Sequence, residues 1–267
     1  MDPIDVLIGN AWKRFAARFW TLAWIFALPA VLVIAGQLVT GRKPLGAAAD
    51  ITGGILSFLG AVLSIMATVA LINAIAHGTD FAGSYRVGMR LFWPAVWIGI
   101  LNTVAILGGA VLLLVPGIVM GVSLAFANYI LVIENGRGIH VLRRSRFYVK
   151  DRWWAVFWRL FFILISFIIV AVFVYSPIKA AAGPAIGAVA YFVMLVCYTG
   201  FSTAYTFEIY GNLRRLKADA LAAAAVSGTG VSDTGPAALE GDSFLKVCFV
   251  VGLIALAFLI LLATHAI

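Results

Sequence analysis

Three ionisable residues within or beside apolar sequence are the strongest candidates for chemistry. Glu134 and Glu208 each end an apolar run, and Arg159 lies about a turn and a half inside another. Charged side chains at membrane depth are costly and often functional. In one arrangement, the glutamates pair with Arg159, Arg143 or Arg144 at the headgroup boundary. In the other, Glu134, Arg159 and Glu208 line a polar cavity that opens to the cytoplasm and holds a lipid headgroup or a solute.

Other residues that could do chemistry lack the spacing of a catalytic or metal site. His77, His140 and His265 are far apart in the sequence, unlike metal ligands on one helix. Gly200–Ala204 and Gly241–Ser243 resemble nucleophile motifs, but the first lies in an apolar helix and the second in a polar linker. We therefore expect no enzyme activity, no cofactor and no metal.

The composition restricts the chain to one class of protein. Apolar residues make up 64% of the sequence and charged residues 11%, with a mean hydropathy of +1.07, whereas soluble domains carry about 25% charged residues. The net charge of +8 comes from bases beside apolar runs, which is an orientation signal and does not indicate nucleic-acid binding. Cys197 and Cys248 lie inside apolar runs and are expected to pack there. The sequence predicts an all-α, polytopic membrane protein.

The apolar runs predict six spans and a seventh near the C-terminus. Residues 1–217 form the predicted membrane domain, and residues 218–243 a flexible linker whose start, up to Val226, is rich enough in Ala and Leu to extend the sixth helix. The predicted spans are about 20–39, 51–76, 91–115, 117–133, 153–175, 185–207 and 244–264.

A proline and a glycine divide the longest apolar run. Residues 91–133 carry no charge, which is about twice the roughly 20 residues that one span needs. Pro116 and Gly117 can turn a helical hairpin inside this run. Because 117–133 is short for a span, a re-entrant segment is the alternative to a full crossing.

A basic amphipathic segment precedes each pair of spans. These segments are 2–18, 79–90 and 135–152, and the aromatic pairs that close them end at Trp20, Trp93 and Trp154. The pattern predicts either three parallel repeats or convergence on the same interfacial design. Bases of the third segment are expected to contact anionic lipid: Arg137, Arg143, Arg144, Arg146, Lys150 and Arg152.

The positions of the basic residues predict the orientation. With a cytoplasmic N-terminus, every Lys and Arg except Arg42, Lys43 and Lys179 lies on the cytoplasmic side, as is typical of membrane proteins. With seven spans, the C-terminus is then expected outside. If 117–133 did not cross, every later segment would invert and the bias would disappear, which favours a full crossing.

Several motifs resemble a bacterial family. They are the Pro116-Gly117 break, the run YILVIE that ends at Glu134, the basic pair Arg144-Ser145, the pair Trp153-Trp154 and the ending FEIYGNLRR at 207–215. Over roughly residues 1–217 the chain resembles the membrane domain attached to some glycerophosphoryl diester phosphodiesterases and its stand-alone inner-membrane relatives of unknown function. The resemblance implies a bacterial inner-membrane protein. The sequence contains no phosphodiesterase domain, so that activity is not expected here.

These observations favour a non-enzymatic membrane protein that acts in envelope organisation or as a membrane subunit assisting a partner. The alternative is a transporter or a protein that binds a lipid headgroup or solute in the Glu/Arg cavity. An intramembrane lipid enzyme is the least favoured class. The expected partners are anionic membrane lipids and either another membrane protein or a second copy of the chain.

Overall fold

The computed structural model describes residues 2–40, 47–226 and 243–265, and these residues form helices and short connections without any strand. Six helical stretches among them are long and apolar enough to cross a membrane. The chain is therefore an all-α, multi-pass membrane protein, as its composition predicts. The helices are α1 (Ile4–Ala17), α2 (Phe19–Thr40), α3 (Ala47–His77), α4 (Phe81–Arg90), α5 (Phe92–Leu112), α6 (Leu114–Leu124), α7 (Ala127–Ile133), α8 (Ile139–Val149), a 3-10 turn (Lys150–Arg152), α9 (Trp153–Val170), a π-helical turn (Ala171–Tyr175), α10 (Ser176–Val226) and α11 (Ser243–His265).

The chain forms two compact units. The N-terminal unit contains Asp2–Phe92 and Arg159–Glu208, and the central unit contains Trp93–Trp158 and the chain from Ile209 onward. Each unit is therefore assembled from two separate stretches of sequence.

In the N-terminal unit, α3 packs closely against α2 and α4. A Cβ atom on Gly60 would lie 2.9 Å from the backbone nitrogen of Val33, and one on Gly88 would lie 2.7 Å from the carbonyl oxygen of Met66. Such close approach of backbones at small residues is how membrane helices associate.

Helix α4 is also held by polar groups. The Tyr85 hydroxyl donates to the carbonyl oxygen of Ile25 at 2.8 Å, and burial raises the pKa of Tyr85 to about 12. The Ser84 and Thr79 hydroxyls are 2.6 Å apart, and Asn73 donates to Thr79 at 2.8 Å. These bonds fix the connection between α3 and α4.

In the central unit, α11 packs against α5 at two glycines. A Cβ atom on Gly108 would overlap the carbonyl oxygen of Cys248, and one on Gly252 would overlap that of Val104. Helix α11 corresponds to the predicted seventh span, 244–264. The predicted linker 218–243 is helical up to Val226, as its composition allows, and residues 227–242 lie outside the described part of the chain.

The helix break in the long apolar run lies earlier than the sequence predicts. Leu113 is extended, with φ −172° and ψ 156°, whereas Pro116 and Gly117 lie in the first turn of α6. A proline ring clashes with the carbonyl four residues earlier, which is Leu112, the last residue of α5. In the first turn of α6, Pro116 has no bond to lose, because the first four N–H groups of a helix have no partner within it.

The predicted fourth span, 117–133, is two helices and not one. Helix α6 ends at Leu124 and α7 begins at Ala127, with a turn between them. The uncharged sequence gives no sign of this break. Its cause is a side chain from α8, described below.

The fifth and sixth spans join at one glycine. The sequence places the turn at Ser176-Pro177 and Gly183-Pro184, whereas the chain stays helical from α9 through the π turn into α10. It leaves helical geometry at Gly183, with φ 80° and ψ 177°, a conformation that a side chain would strain. The predicted sixth span, 185–207, follows this break.

The repeated segments share one register of buried residues. Relative to Trp20, Trp93 and Trp154, the positions nine before, five before and two after are buried in all three copies. These residues are Ala11, Ser84 and Ser145, then Phe15, Gly88 and Val149, and then Leu22, Ala95 and Val156. This common register favours true repetition over convergence.

Each copy also carries an exposed tryptophan pair. Trp20, Trp93 and Trp154 are 73%, 76% and 66% exposed, and the tryptophans four residues later, Trp24, Trp97 and Trp158, are 63%, 55% and 57% exposed. Residues four apart lie on one helix face, so every copy presents the same aromatic pair outward.

Candidate functional site

Glu134 is the centre of a polar network in the central unit. Its Oε1 atom accepts hydrogen bonds from the hydroxyls of Tyr148 at 2.8 Å and Tyr210 at 2.5 Å. Its Oε2 atom pairs with the Nε atom of Arg144, and the Nε atom of Arg214 lies 4.0 Å from Oε1. The Glu134 side chain is only 8% exposed. This carboxylate is thus shielded from solvent and neutralised within the protein.

Backbone geometry brings the partners of Glu134 together. Glu134 follows α7, and the chain then turns through Asn135, with φ 52°, and Gly138, with φ 61°. These two residue types tolerate that left-handed region. The turn leads into α8, which carries Arg144 and Tyr148 one turn apart, and the Arg144 Nε atom donates to the Tyr148 hydroxyl at 3.1 Å.

Aromatic rings surround the network. The ring centroids of Phe126, Tyr129 and Tyr148 lie 6.2, 6.0 and 6.0 Å from the ring centroid of Tyr210. Tyr210 is 1% exposed. Apolar rings exclude water, which strengthens the charge-assisted bonds to the carboxylate.

Ser145 explains the break between α6 and α7. Its hydroxyl is fully buried, accepts from the backbone N–H of Phe126 at 3.3 Å and donates to the carbonyl oxygen of Ser123 at 2.7 Å. It therefore satisfies backbone groups that the interrupted helix leaves unpaired. Ser145 is next to Arg144, so α8 supports both the break and the Glu134 network.

Glu208 and Arg159 lie in the N-terminal unit, each with its own partner. Glu208 pairs with the Nε atom of Arg14, and the Arg14 guanidinium lies 5.0 Å from the centroid of the Phe207 ring. The Nη2 atom of Arg159 donates to the carbonyl oxygen of Asp2 at 2.8 Å. Because Glu134 belongs to the central unit, the predicted cavity shared with Arg159 and Glu208 stays a prediction.

Arg159 is the residue that departs from the repeat. It stands five residues after Trp154, where the other two copies have the buried isoleucines Ile25 and Ile98, at 0% and 1% exposed. The hydroxyl of Tyr205, in the same unit, is buried and has no hydrogen-bond partner in the described residues. Arg159 is therefore the one charged residue among the three equivalent positions.

The bases predicted to contact lipid have different environments. Arg144 belongs to the Glu134 network, and Arg143 and Arg146 are partly buried. The remaining ones are exposed: Arg137, Lys150 and Arg152. Asp151, which lies between Lys150 and Arg152 in the 3-10 turn, pairs with Lys217 of α10.

Several residues of these sites were not predicted. Tyr148, Tyr210 and Arg14 carry no signal as partners of glutamates, since they are 14, 76 and 194 residues from them in the sequence. The tryptophan spacing was a usable signal, because aligning the three copies on it also exposes Arg159 as the exception.

The described residues contain no group of three or more His, Cys, Asp or Glu side chains that could hold a metal ion. The Glu134 site can neutralise charge and link the end of α7 to α8 and to the part of α10 that belongs to the central unit.

Comparison with family models, with curated proteins and with solved structures finds no match, so the resemblance to the phosphodiesterase-linked membrane domain stays a prediction.

Proposed function

We propose that the chain is a non-enzymatic scaffold of the bacterial inner membrane, acting in envelope organisation or as a membrane subunit that assists a partner. The observation that carries this proposal is the closed network on Glu134. Two tyrosine hydroxyls and an arginine hold this carboxylate, an arrangement that suits a structural role. Buried polar networks rigidify a protein, and here the Oε2 atom of Glu134 is held by its ion pair with Arg144 and by no hydrogen bond within the described residues.

The tryptophan pairs and the exposed bases support an interfacial position for the segments that carry them. Tryptophans with one apolar and one polar edge prefer the membrane–water interface, so each copy of the pair would anchor its own segment at that interface. Exposed Arg137, Lys150 and Arg152 would then face anionic headgroups. The basic segments would lie on the cytoplasmic side, together with the N-terminus.

The test is native mass spectrometry of the protein extracted gently from its own membrane, after chemical cross-linking in cells. We expect a stoichiometric partner chain or a second copy. A lone protomer that retains a specific solute, and no cross-linked protein, would contradict the scaffold proposal. Labelling of single cysteines introduced at exposed Arg137 or Arg152 in intact cells tests the orientation, since a cytoplasmic thiol is protected from an impermeant reagent.

A second candidate function, binding or transport of a charged solute, is favoured by Arg159. The decisive variant is Arg159→Ile, which restores the residue of the other two copies. If Arg159 binds no ligand, this variant should keep its protein partner and show the same retained ligands as the wild type in mass spectrometry, apart from a loss of stability from the missing bond to Asp2. Loss of a retained anionic ligand with folding intact would favour the second candidate, and Ile98→Val is the matched control at an equivalent position.

A further inference from the structure

Two grooves flank a ridge in the N-terminal unit. The larger one, of about 920 Å³, lies between α1, the α9–π segment and α10. The smaller one, of about 230 Å³, lies between α2 and α10. Phe19, Val193 and Cys197 line both grooves and therefore form the ridge between them.

The walls of the larger groove present hydrocarbon. Its Ser166 and Tyr198 hydroxyls both donate to the carbonyl oxygen of Ile163, at 2.7 and 3.3 Å, so their hydrogen-bonding capacity is directed at the backbone. Nearly all other lining side chains are aliphatic or aromatic. Such a groove suits an alkyl chain and not a polar solute, which would lose its hydration without replacement bonds.

The length of the larger groove fits one leaflet of a bilayer. Beyond the break at Gly183, its lining on α10 runs from Ala190 to Phe201, which is about 17 Å at 1.5 Å per residue; Ile178, before the break, adds to the lining. The hydrocarbon core of a bilayer is about 30 Å thick, so one leaflet contributes about 15 Å. An acyl chain of a lipid in one leaflet would therefore run the length of the groove.

Two basic residues lie beyond one end of the groove, on α1 and α9, and neither lines it. Trp12 lines this end, and Lys13, the next residue, is exposed. Arg159 lies seven residues before Ser166 on α9, which puts both on one face about two turns apart. A phosphate at this end would find two bases close to an interfacial tryptophan.

We propose that the N-terminal unit binds an anionic diacyl glycerophospholipid that straddles the ridge. One acyl chain lies in each groove, and the phosphate lies near Lys13 and Arg159. The smaller groove, lined on α2 from Phe19 to Ala27, is about 12 Å long at 1.5 Å per residue, so it contacts only part of the second chain. The proposal goes beyond the scaffold function and does not depend on it, because it needs no protein partner.

The test uses the full-length protein in nanodiscs of phosphatidylethanolamine and phosphatidylglycerol, followed by delipidation and native mass spectrometry. Ala190→Trp fills the larger groove. Val189→Trp is the matched control, because Val189 is 64% exposed and lines neither groove. We expect one phosphatidylglycerol per protomer to survive in the wild type and in the control, and at least a tenfold loss in Ala190→Trp. Equal retention in both variants would overturn the proposal.

The headgroup is tested with Lys13→Gln, for which Arg86→Gln, an exposed base on α4, is the control. We expect about fivefold weaker retention of phosphatidylglycerol only in Lys13→Gln, the effect of one base at a membrane surface. Equal retention of phosphatidylethanolamine and phosphatidylglycerol by the wild type would overturn the anionic assignment. Photolabelling of the wild type with diazirine-acyl phosphatidylglycerol needs no variant. Adducts should concentrate on 190–201, and an even spread over all lipid-facing helices would contradict the proposal.

Discussion

Removing the carboxylate of Glu134 should destabilise the protein far more than removing an exposed one. In Glu134→Ala, the hydroxyls of Tyr148 and Tyr210 lose their acceptor and Arg144 loses its counter-charge. Hydrogen bonds to charged groups contribute about 1.5–3 kcal/mol each in soluble proteins, but about 0.6 kcal/mol on average between membrane helices. The tyrosines are only 5% and 1% exposed, so water cannot replace the lost bonds, and the values should exceed the membrane average.

The ion pair itself adds less. The Arg144 side chain is 43% exposed, so solvent can hydrate the guanidinium, and the pair should contribute about 1 kcal/mol or less. Taken with the two tyrosine bonds, we expect Glu134→Ala to lower the free energy of unfolding by about 3 kcal/mol.

The assay is reversible unfolding of the purified protein in mixed micelles, followed by tryptophan fluorescence and circular dichroism. The control is Asp151→Ala, which removes an ion pair with Lys217 but whose carboxylate side chain is 65% exposed. We expect a loss of at most about 1 kcal/mol for the control. If both variants lost the same stability, the reasoning about burial would be refuted.

A double-mutant cycle isolates the bond between Glu134 and Tyr210. Tyr210→Phe removes only the hydroxyl and should cost about 1 kcal/mol, but much less when Glu134 is already alanine. A coupling energy of at least about 0.5 kcal/mol is expected for residues in one network. Strict additivity would show that the 2.5 Å contact carries no stabilising energy.

Other substitutions test the remaining contacts by the same assay. Ser145→Ala should cost about 1–3 kcal/mol because it leaves buried backbone groups unpaired, whereas Ser166→Ala, which loses a bond within its own helix, should cost less than about 0.5 kcal/mol. Gly88→Ala should cost about 1–3 kcal/mol through overlap with the α3 backbone, and Gly54→Ala, where a Cβ meets open space, should cost nothing. Because the pKa of Tyr85 is raised from 10.0 to about 12, its contribution to stability should be complete below pH 10 and be lost as the pH rises through about 12. The unfolding midpoint of the wild type should fall over this pH range, and the part of the fall that comes from Tyr85 should be absent in Tyr85→Phe. The same pH profile in both proteins would contradict the assignment.

The spans could be predicted because they depend on composition over long windows. In lipid, an uncharged run of about 20 residues must form a helix to satisfy its backbone groups. The observed limits of α2, α3 and α5 differ from the predicted ones by only a few residues. The breaks were harder to predict, since each depends on one atom contact. Pro116 ends α5 at the residue whose carbonyl its ring would strike, and Ser145 interrupts a helix that lies about 20 residues earlier.

The partners of the charged residues could be predicted only in part. Arg144 beside Glu134 follows from their closeness in sequence across one turn. The pairing of Glu208 with Arg14 joins residues 194 apart, and no local pattern encodes it. The two tyrosine donors to Glu134 are also invisible to a search for opposite charges, because a neutral hydroxyl carries no charge signal.

The shared register suggests how the three copies came to differ. The residue nine positions before the first tryptophan of each pair is small and fully buried in every copy. In the first copy it is Ala11, which only packs. In the second it is Ser84, which bonds to Thr79, and in the third it is Ser145, which repairs a broken helix. This position therefore needs only a small residue, and a serine adds a hydrogen bond without changing the packing.

The position five residues after the first tryptophan shows the opposite case, because Arg159 stands where the other two copies have isoleucine and adds a charge that packing does not require. Arg159 donates instead to the carbonyl oxygen of Asp2, so Arg159→Ile tests whether this position needs only a residue that packs, as in the other two copies.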